Sequence, residues 1–198
     1  MPHLIITTAN TDQDYEIRKP QYLKSIDKAF ECRHLFASVT ILECTSKDEP
    51  YLGPYPVHYS KAPNSFPNKG LNEMTHLKTF LNRAPIPPDD FVIKLTGRYL
   101  LRDDSFLHLV RNAPASCNSI FKDDSDVYQG NGYHTFLFAM RKNALLKTID
   151  NLDFDPGNNA PIEWHFKNFL QDQSSHRLVD SLGVTAFQGH KGEVVFDC

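Results

Sequence analysis

The chain has 198 residues, close to the span of about 100–200 that one domain occupies. Hydrophobic residues make up 40% and charged residues 23%, enough to build a core that needs no metal or disulfide staple. Lysine and arginine number 21 against 24 acidic residues, a formal charge of −3 that argues against a nucleic-acid partner. No apolar run approaches the ~18–20 residues of a membrane span. The first eight residues carry neither the basic region nor the apolar stretch of a secretory signal. Cys32, Cys44, Cys117 and Cys198 form no C-x-x-C pair, so reduced thiols and a cytoplasmic location are expected.

Strand and helix patterns alternate along the chain, which predicts a single α/β domain with a mostly parallel central sheet flanked by helices. Residues 3–8 read as a first strand, with Leu4-Ile5-Ile6 suited to burial on both faces. A polar loop over 10–14 follows, then a helix over 21–30, with Pro20 fitted to its first turn. Residues 39–42 and 57–59 read as strands joined by a Pro- and Tyr-rich stretch. The clearest helix spans 68–82, with Asn68 as cap and Leu71, Met74, Leu77 and Leu81 at helical spacing. Pro85 to Pro88 end it, and residues 91–95 form a strong central strand. Beyond it, helices are expected over 105–111, 142–149 and 162–171, and extended segments over 119–122, 133–140 and 184–187.

Ligands of open α/β sheets collect outside the carboxyl ends of the strands. Three candidate loops leave such ends. In the first, Thr8, Ala9 and Asn10 offer groups that could read a base and ribose, and Arg18 could pair with a phosphate. The second opens the clearest helix with Lys69, Gly70, Asn72 and Glu73, where free N–H groups and a mobile cation attract phosphate. The third, Lys94-Leu95-Thr96-Gly97-Arg98-Tyr99, ends the central strand. Two cations there are costly unless functional or paired, for which Glu43, Asp103 and Asp104 are the expected partners.

Taken in order, the Ile-Thr-Thr start, Arg18 with Gln21-Tyr22, Asn68-Lys69-Gly70 with Glu73, and Lys94 to Tyr99 resemble small GT-A-type glycosyltransferases. The likeness extends to the glycosyltransferase domains of chlorovirus capsid-glycosylating proteins, and a viral member would work in the host cytoplasm. It is strong over the first half and loose over the second. It implies a nucleotide-diphosphate-sugar donor, best a UDP-sugar, held by Thr8, Ala9, Asn10, Arg18, Lys69, Asn72, Lys94, Thr96, Gly97 and Arg98. It also implies a glycan or glycoprotein acceptor.

Where most such enzymes carry Asp-x-Asp, this chain has Thr96-Gly97-Arg98. Asp-x-Asp gives oxygen ligands to manganese or magnesium. Arg98 would replace part of that charge. A divalent metal could still be held by His190, or by Asp124 and Asp126, with Lys191 on the diphosphate. Acidic runs such as 123–126 more often form solvated turns, and Gly189 to Gly192 could equally be a plain tail.

Catalysis needs a base for the acceptor hydroxyl or a group stabilising the sugar's developing charge. Glu163 is the candidate, although a carboxylate at a helix start is also expected from the dipole alone. Trp164 beside it could stack on a sugar, but a lone tryptophan belongs more often to the core. No nucleophile elbow, P-loop or dinucleotide fingerprint occurs. The rival reading is a non-catalytic nucleotide- or carbohydrate-binding module that keeps the GT-A shape.

Overall fold

A computed structural model describes residues 1–9, 15–45, 47–124, 131–155, 157, 160–187 and 194–197, with backbone alone for 186–187 and 194–197. Asn10, Asp126, His190, Lys191 and Cys198 lie outside the described residues.

Strand β1 (His3–Thr8) is fully buried and central. It pairs in parallel with β2 (Ser38–Glu43) on one side and β4 (Phe91–Thr96) on the other. Strand β3 (Val57–Tyr59) extends that parallel set beyond β2. On the far side, β7 (Leu137–Arg141) pairs antiparallel with both β4 and β6 (Ser119–Phe121), and β8 (His176–Leu178) pairs in parallel with β6. The seven-stranded order is β3-β2-β1-β4-β7-β6-β8, with β7 reversed within an otherwise parallel sheet. A second sheet joins β10 (Val194–Asp197), β9 (Val184–Phe187) and β5 (Leu100–Leu101).

Alternation along the strands sends side chains to two separate cores. Leu4, Ile6, Ile93 and Leu95 pack with Tyr22 and Ile26 of helix α1 (Tyr15–Glu31) and Phe106 and Leu107 of α3 (Ser105–Arg111). Ile5, Leu42, Val92 and Phe138 pack on the other face. There they meet Leu71 and Met74 of α2 (Lys69–Leu81), Leu145 of α4 (Lys142–Asp150) and Phe166 of α5 (Ile162–Leu170). Lys94 alternates with Ile93 and Leu95, so it enters the layer between the sheet and α2.

Three expectations need correction. Helix α1 starts at Tyr15, so Pro20 lies inside it rather than in its first turn. The buried stripe Arg18, Tyr22, Ser25, Ile26 and Ala29 holds the longer helix on the sheet, and this packing overrides the loss of one N–H. Strand β7 begins at Leu137, because residues before it turn their backbone elsewhere: His134 N donates to Lys122 O at 2.8 Å. Strands β5, β8 and β10 are not expected from the sequence. No helix among the described residues is long and apolar enough to cross a membrane.

Candidate functional site at the carboxyl edge of the sheet

The parallel strands β1 and β4 end side by side, and the starts of α2 and α5 meet above them. Asn68 caps α2 with its side-chain oxygen on Gly70 N and Leu71 N, at 2.9 and 3.4 Å. Its amide nitrogen donates to Ala160 O at 2.9 Å, which ties the approach of α5 to that cap. Gly70 is needed for this junction, since a Cβ there would lie 2.8 Å from Ile162 Cγ2. The glycine expected to admit a phosphate therefore admits a helix. Both ends of the Asn72 amide are engaged with the backbone of Phe66, at 2.9 and 2.7 Å. Lys69 stands exposed in the first turn.

The β1 end is similarly self-contained. Thr8 Oγ1 donates to Glu43 Oε2 at 2.5 Å, and Thr45 donates to the other oxygen of the same carboxylate through N and Oγ1. Burial pushes the Glu43 carboxyl above its ordinary value, while the Thr45 and Thr8 bonds pull the other way. Ala9 N donates to the Tyr22 hydroxyl at 3.1 Å, and Ala9 O accepts from Arg18 Nη1 at 3.0 Å. Gly97 closes the gap between strand ends: its N donates to Thr7 O at 2.8 Å, and an added Cβ would lie 2.9 Å from the Tyr22 ring.

At the centre is a buried ion pair that the sequence placed elsewhere. Lys94, fully buried, sits 2.9 Å from Glu73 Oε1 rather than on Glu43, Asp103 or Asp104. It also donates to Thr96 Oγ1 at 2.6 Å and Thr135 O at 2.8 Å, so all three ammonium protons are matched. Thr7 Oγ1 donates to the same Glu73 oxygen. Thr135 Oγ1 then donates to Glu163 Oε1 at 2.8 Å. Glu163 is thus held by the strand-end network, one residue removed from Lys94, and no side-chain cap bond is made at the start of α5.

Asp124 overturns the solvated-turn expectation. It is fully buried, with Oδ1 accepting from Gly132 N at 2.9 Å and Oδ2 making no hydrogen bond among the described residues. A Cβ on Gly132 would approach Asp124 Oδ2 to 2.6 Å and Glu163 Cβ to 2.7 Å, so the two acidic residues flank one glycine. That orphan oxygen is a metal-ligand type, yet among the described residues no group of three His, Cys, Asp or Glu side chains gathers to hold a cation. These residues alone do not make a metal site.

Arg98 differs from its neighbours. Its guanidinium lies 5.8 Å from the Tyr99 ring centre, and its Nη1 is buried without an acceptor among the described residues. No carboxylate among the described residues pairs with it. Burial pushes the Tyr22 hydroxyl up, and the Ala9 backbone and the charges of Arg98 and Arg18 draw it back. Two guanidinium groups therefore act on one point beside the end of β1.

Glu73, Thr135, Thr7 and Tyr22 complete this edge. Glu73 stood within the recognised run after Asn68 without a role, and Thr135 carried no sequence signal. Two clefts lie apart from it. One of about 270 Å³ is lined by Ser119, Arg141 and Lys147 among others. The other, about 450 Å³, lies between Phe66, Phe154 and Thr79. None of the side chains gathered at the strand ends lines either.

No family model matches the sequence, and no curated protein matches it. Solved structures do. A Bacillus anthracis protein assigned by name to the glucose-1-phosphate thymidylyltransferases superposes with a TM-score of 0.61 at 11% identity, over 93% of this chain and 89% of its own. The 4-diphosphocytidyl-2C-methyl-D-erythritol synthase of Anaerococcus prevotii gives 0.54 at 13% identity, over 90% and 86%. The Streptococcus pneumoniae glycosyltransferase GlyE gives 0.53 at 13% identity, over 88% of this chain and 44% of its own. The chain has the layered α/β fold found in these nucleotidyl- and glycosyltransferases.

Proposed function

We propose that the chain is a glycosyltransferase that binds a nucleotide-diphosphate sugar, best a UDP-sugar, across the carboxyl ends of β1 and β4. The observation that carries this reading is Arg98: a cation at a strand end, with a buried nitrogen lacking an acceptor, on the same edge as the anchored carboxylate of Glu163. A diphosphate oxygen supplies what that nitrogen lacks. The fold also accommodates nucleotidyl transfer, but residues 9–14 contain no glycine, and loops that cradle a triphosphate by backbone N–H groups depend on glycine. The chlorovirus likeness rests on sequence motifs alone, and the acceptor as glycan or glycoprotein follows from it.

In this reading the acceptor hydroxyl loses its proton to Glu163 as its oxygen bonds to the anomeric carbon. The bond from that carbon to the diphosphate breaks, and the nucleoside diphosphate leaves against Arg98 and Arg18. Lys94 and Thr135 fix the carboxylate in place. If a divalent ion takes part, Asp124 is the described residue with an oxygen to offer; Asp126 and His190 would have to join it, with Lys191 at the phosphates.

Release of UDP from UDP-glucose and UDP-galactose tests the reading. Glu163→Gln should lower the rate by about 100-fold or more while UDP still raises the melting temperature. An unchanged rate removes Glu163 from catalysis. Binding of UDP without release from any donor favours the non-catalytic module.

A further inference from the structure

Trp164 is the only tryptophan of the chain, and it is 43% exposed. The expectation that a lone tryptophan joins the core is therefore wrong here. On α5 the buried stripe is Ile162, Phe166 and Leu170. Trp164 lies about 200° around the helix from Ile162, so it faces away from the core. Leaving so large an apolar surface in water forgoes part of the ~1.5–3 kcal/mol that burial of a large apolar side chain contributes.

The indole is presented from a rigid base. The start of α5 is fixed by the Asn68–Ala160 bond and by the close approach of Gly70 to Ile162. Its neighbour Glu163 is held by Thr135. A helix side chain leans toward the N-terminus, which here is the carboxyl edge of the sheet. An aromatic face and a carboxylate on consecutive residues thus share one rim.

A protein partner would need an apolar patch around this anchor. Among the described residues α5 offers no second exposed large apolar side chain; Met1, Ile17 and Leu178 belong to other elements. A pyranose ring is a better match. One of its faces is a sheet of C–H groups that lies flat on an indole, and its hydroxyls suit a nearby carboxylate.

We propose that Trp164 is the platform for the acceptor, a neutral hexopyranoside whose C–H face stacks on the indole and whose hydroxyl is thereby brought to Glu163. The assignment rests on the glycosyltransferase reading, whose acceptor class it narrows.

Because the chain has one tryptophan, its emission reports on this position alone. The test titrates the wild-type protein, with and without UDP, with methyl glycosides of glucose, galactose, mannose, rhamnose and N-acetylglucosamine at millimolar concentrations. At least one should shift the emission to the blue and saturate. Saturation-transfer NMR should detect the same glycoside on wild type and lose it on Trp164→Ala, with the UDP-induced rise in melting temperature unchanged. Emission unmoved by every glycoside overturns the platform, as does equal saturation transfer to the variant. If Trp164 instead served a protein partner, glycosides would leave the emission unmoved in the same way. The donor reading is judged separately: if glycosides bind but UDP never raises the melting temperature, the platform stands and the donor site falls.

Discussion

Two arginines, Arg141 at the end of β7 and Arg98 in the turn after β4, lie at opposite edges of the sheet and are treated differently by the fold. Arg141 closes β7 at the amino edge of β4. Its Nε donates to Cys117 O at 2.8 Å, its Nη1 to Asp89 O, and its Nη2 to Pro114 O and Ala115 O at 3.4 and 3.2 Å. It also stacks 4.7 Å over Phe91, while Lys142 beside it donates to Ala84 O and Ile86 O. Arg98, at the carboxyl edge, keeps Nη1 without an acceptor. A guanidinium saturated by carbonyls is a clamp for loops. One held in place but left with unmatched donor capacity is suited to an anion that arrives from solution. In the proposed reading the amino edge is scaffold and the carboxyl edge is the working surface.

The largest effect expected from breaking this division is on the buried pair beneath the working surface. Lys94→Met should lower folding stability by about 3 kcal/mol, because Glu73, half-buried, would lose its cation and Thr135 O its donor beside the fully buried Lys94 position. Adding Glu73→Leu should recover much of that loss; urea unfolding of both variants measures it. A single variant as stable as wild type would show that the pair does not hold the edge together. Next, Arg141→Ala should cost about 1–3 kcal/mol of stability through its abandoned carbonyls, with UDP affinity unchanged. Weaker UDP binding in folded Arg141→Ala would erase the contrast between the two edges.

A smaller effect concerns pH. Burial pushes His176 from its ordinary 6.5 down to about 4, and burial also lowers His76 and His58. The unfolded chain therefore binds more protons than the native one between these values. Stability should be fully present above pH 6.5 and decline as pH falls toward 4. His176→Gln, which keeps a polar partner for Ser119, should flatten that decline in urea midpoints. Parallel pH curves for variant and wild type would contradict the assignment.

The sequence made the scaffold legible where periodicity and local chemistry agree. Helix α2 follows from the Asn68 cap and the stripe Leu71, Met74, Leu77 and Leu81, and α3 from residues 105–111. The site was legible only as loops at strand ends. Which groups engage which is decided by tertiary register: Lys94 pairs with Ile5 on β1 and Phe138 on β7, and so reaches Glu73 across the layer. Thr135 belongs to a segment that reads as strand, and its role was hidden because its hydrogen bonds to Lys94 and Glu163 connect residues far apart in the chain. The same distance hid the roles of Gly70 and Asn72, which pack and brace the edge.

The most direct measurement is calorimetric titration of UDP into wild type, Arg98→Ala and Arg141→Ala at a temperature where all three are folded. Arg98→Ala should lose about 1.5–3 kcal/mol of binding free energy, roughly ten- to a hundredfold in affinity, and Arg141→Ala none. Equal affinity of wild type and Arg98→Ala, or no binding of UDP to wild type at millimolar concentration, would contradict the placement of a nucleotide-sugar at the carboxyl edge.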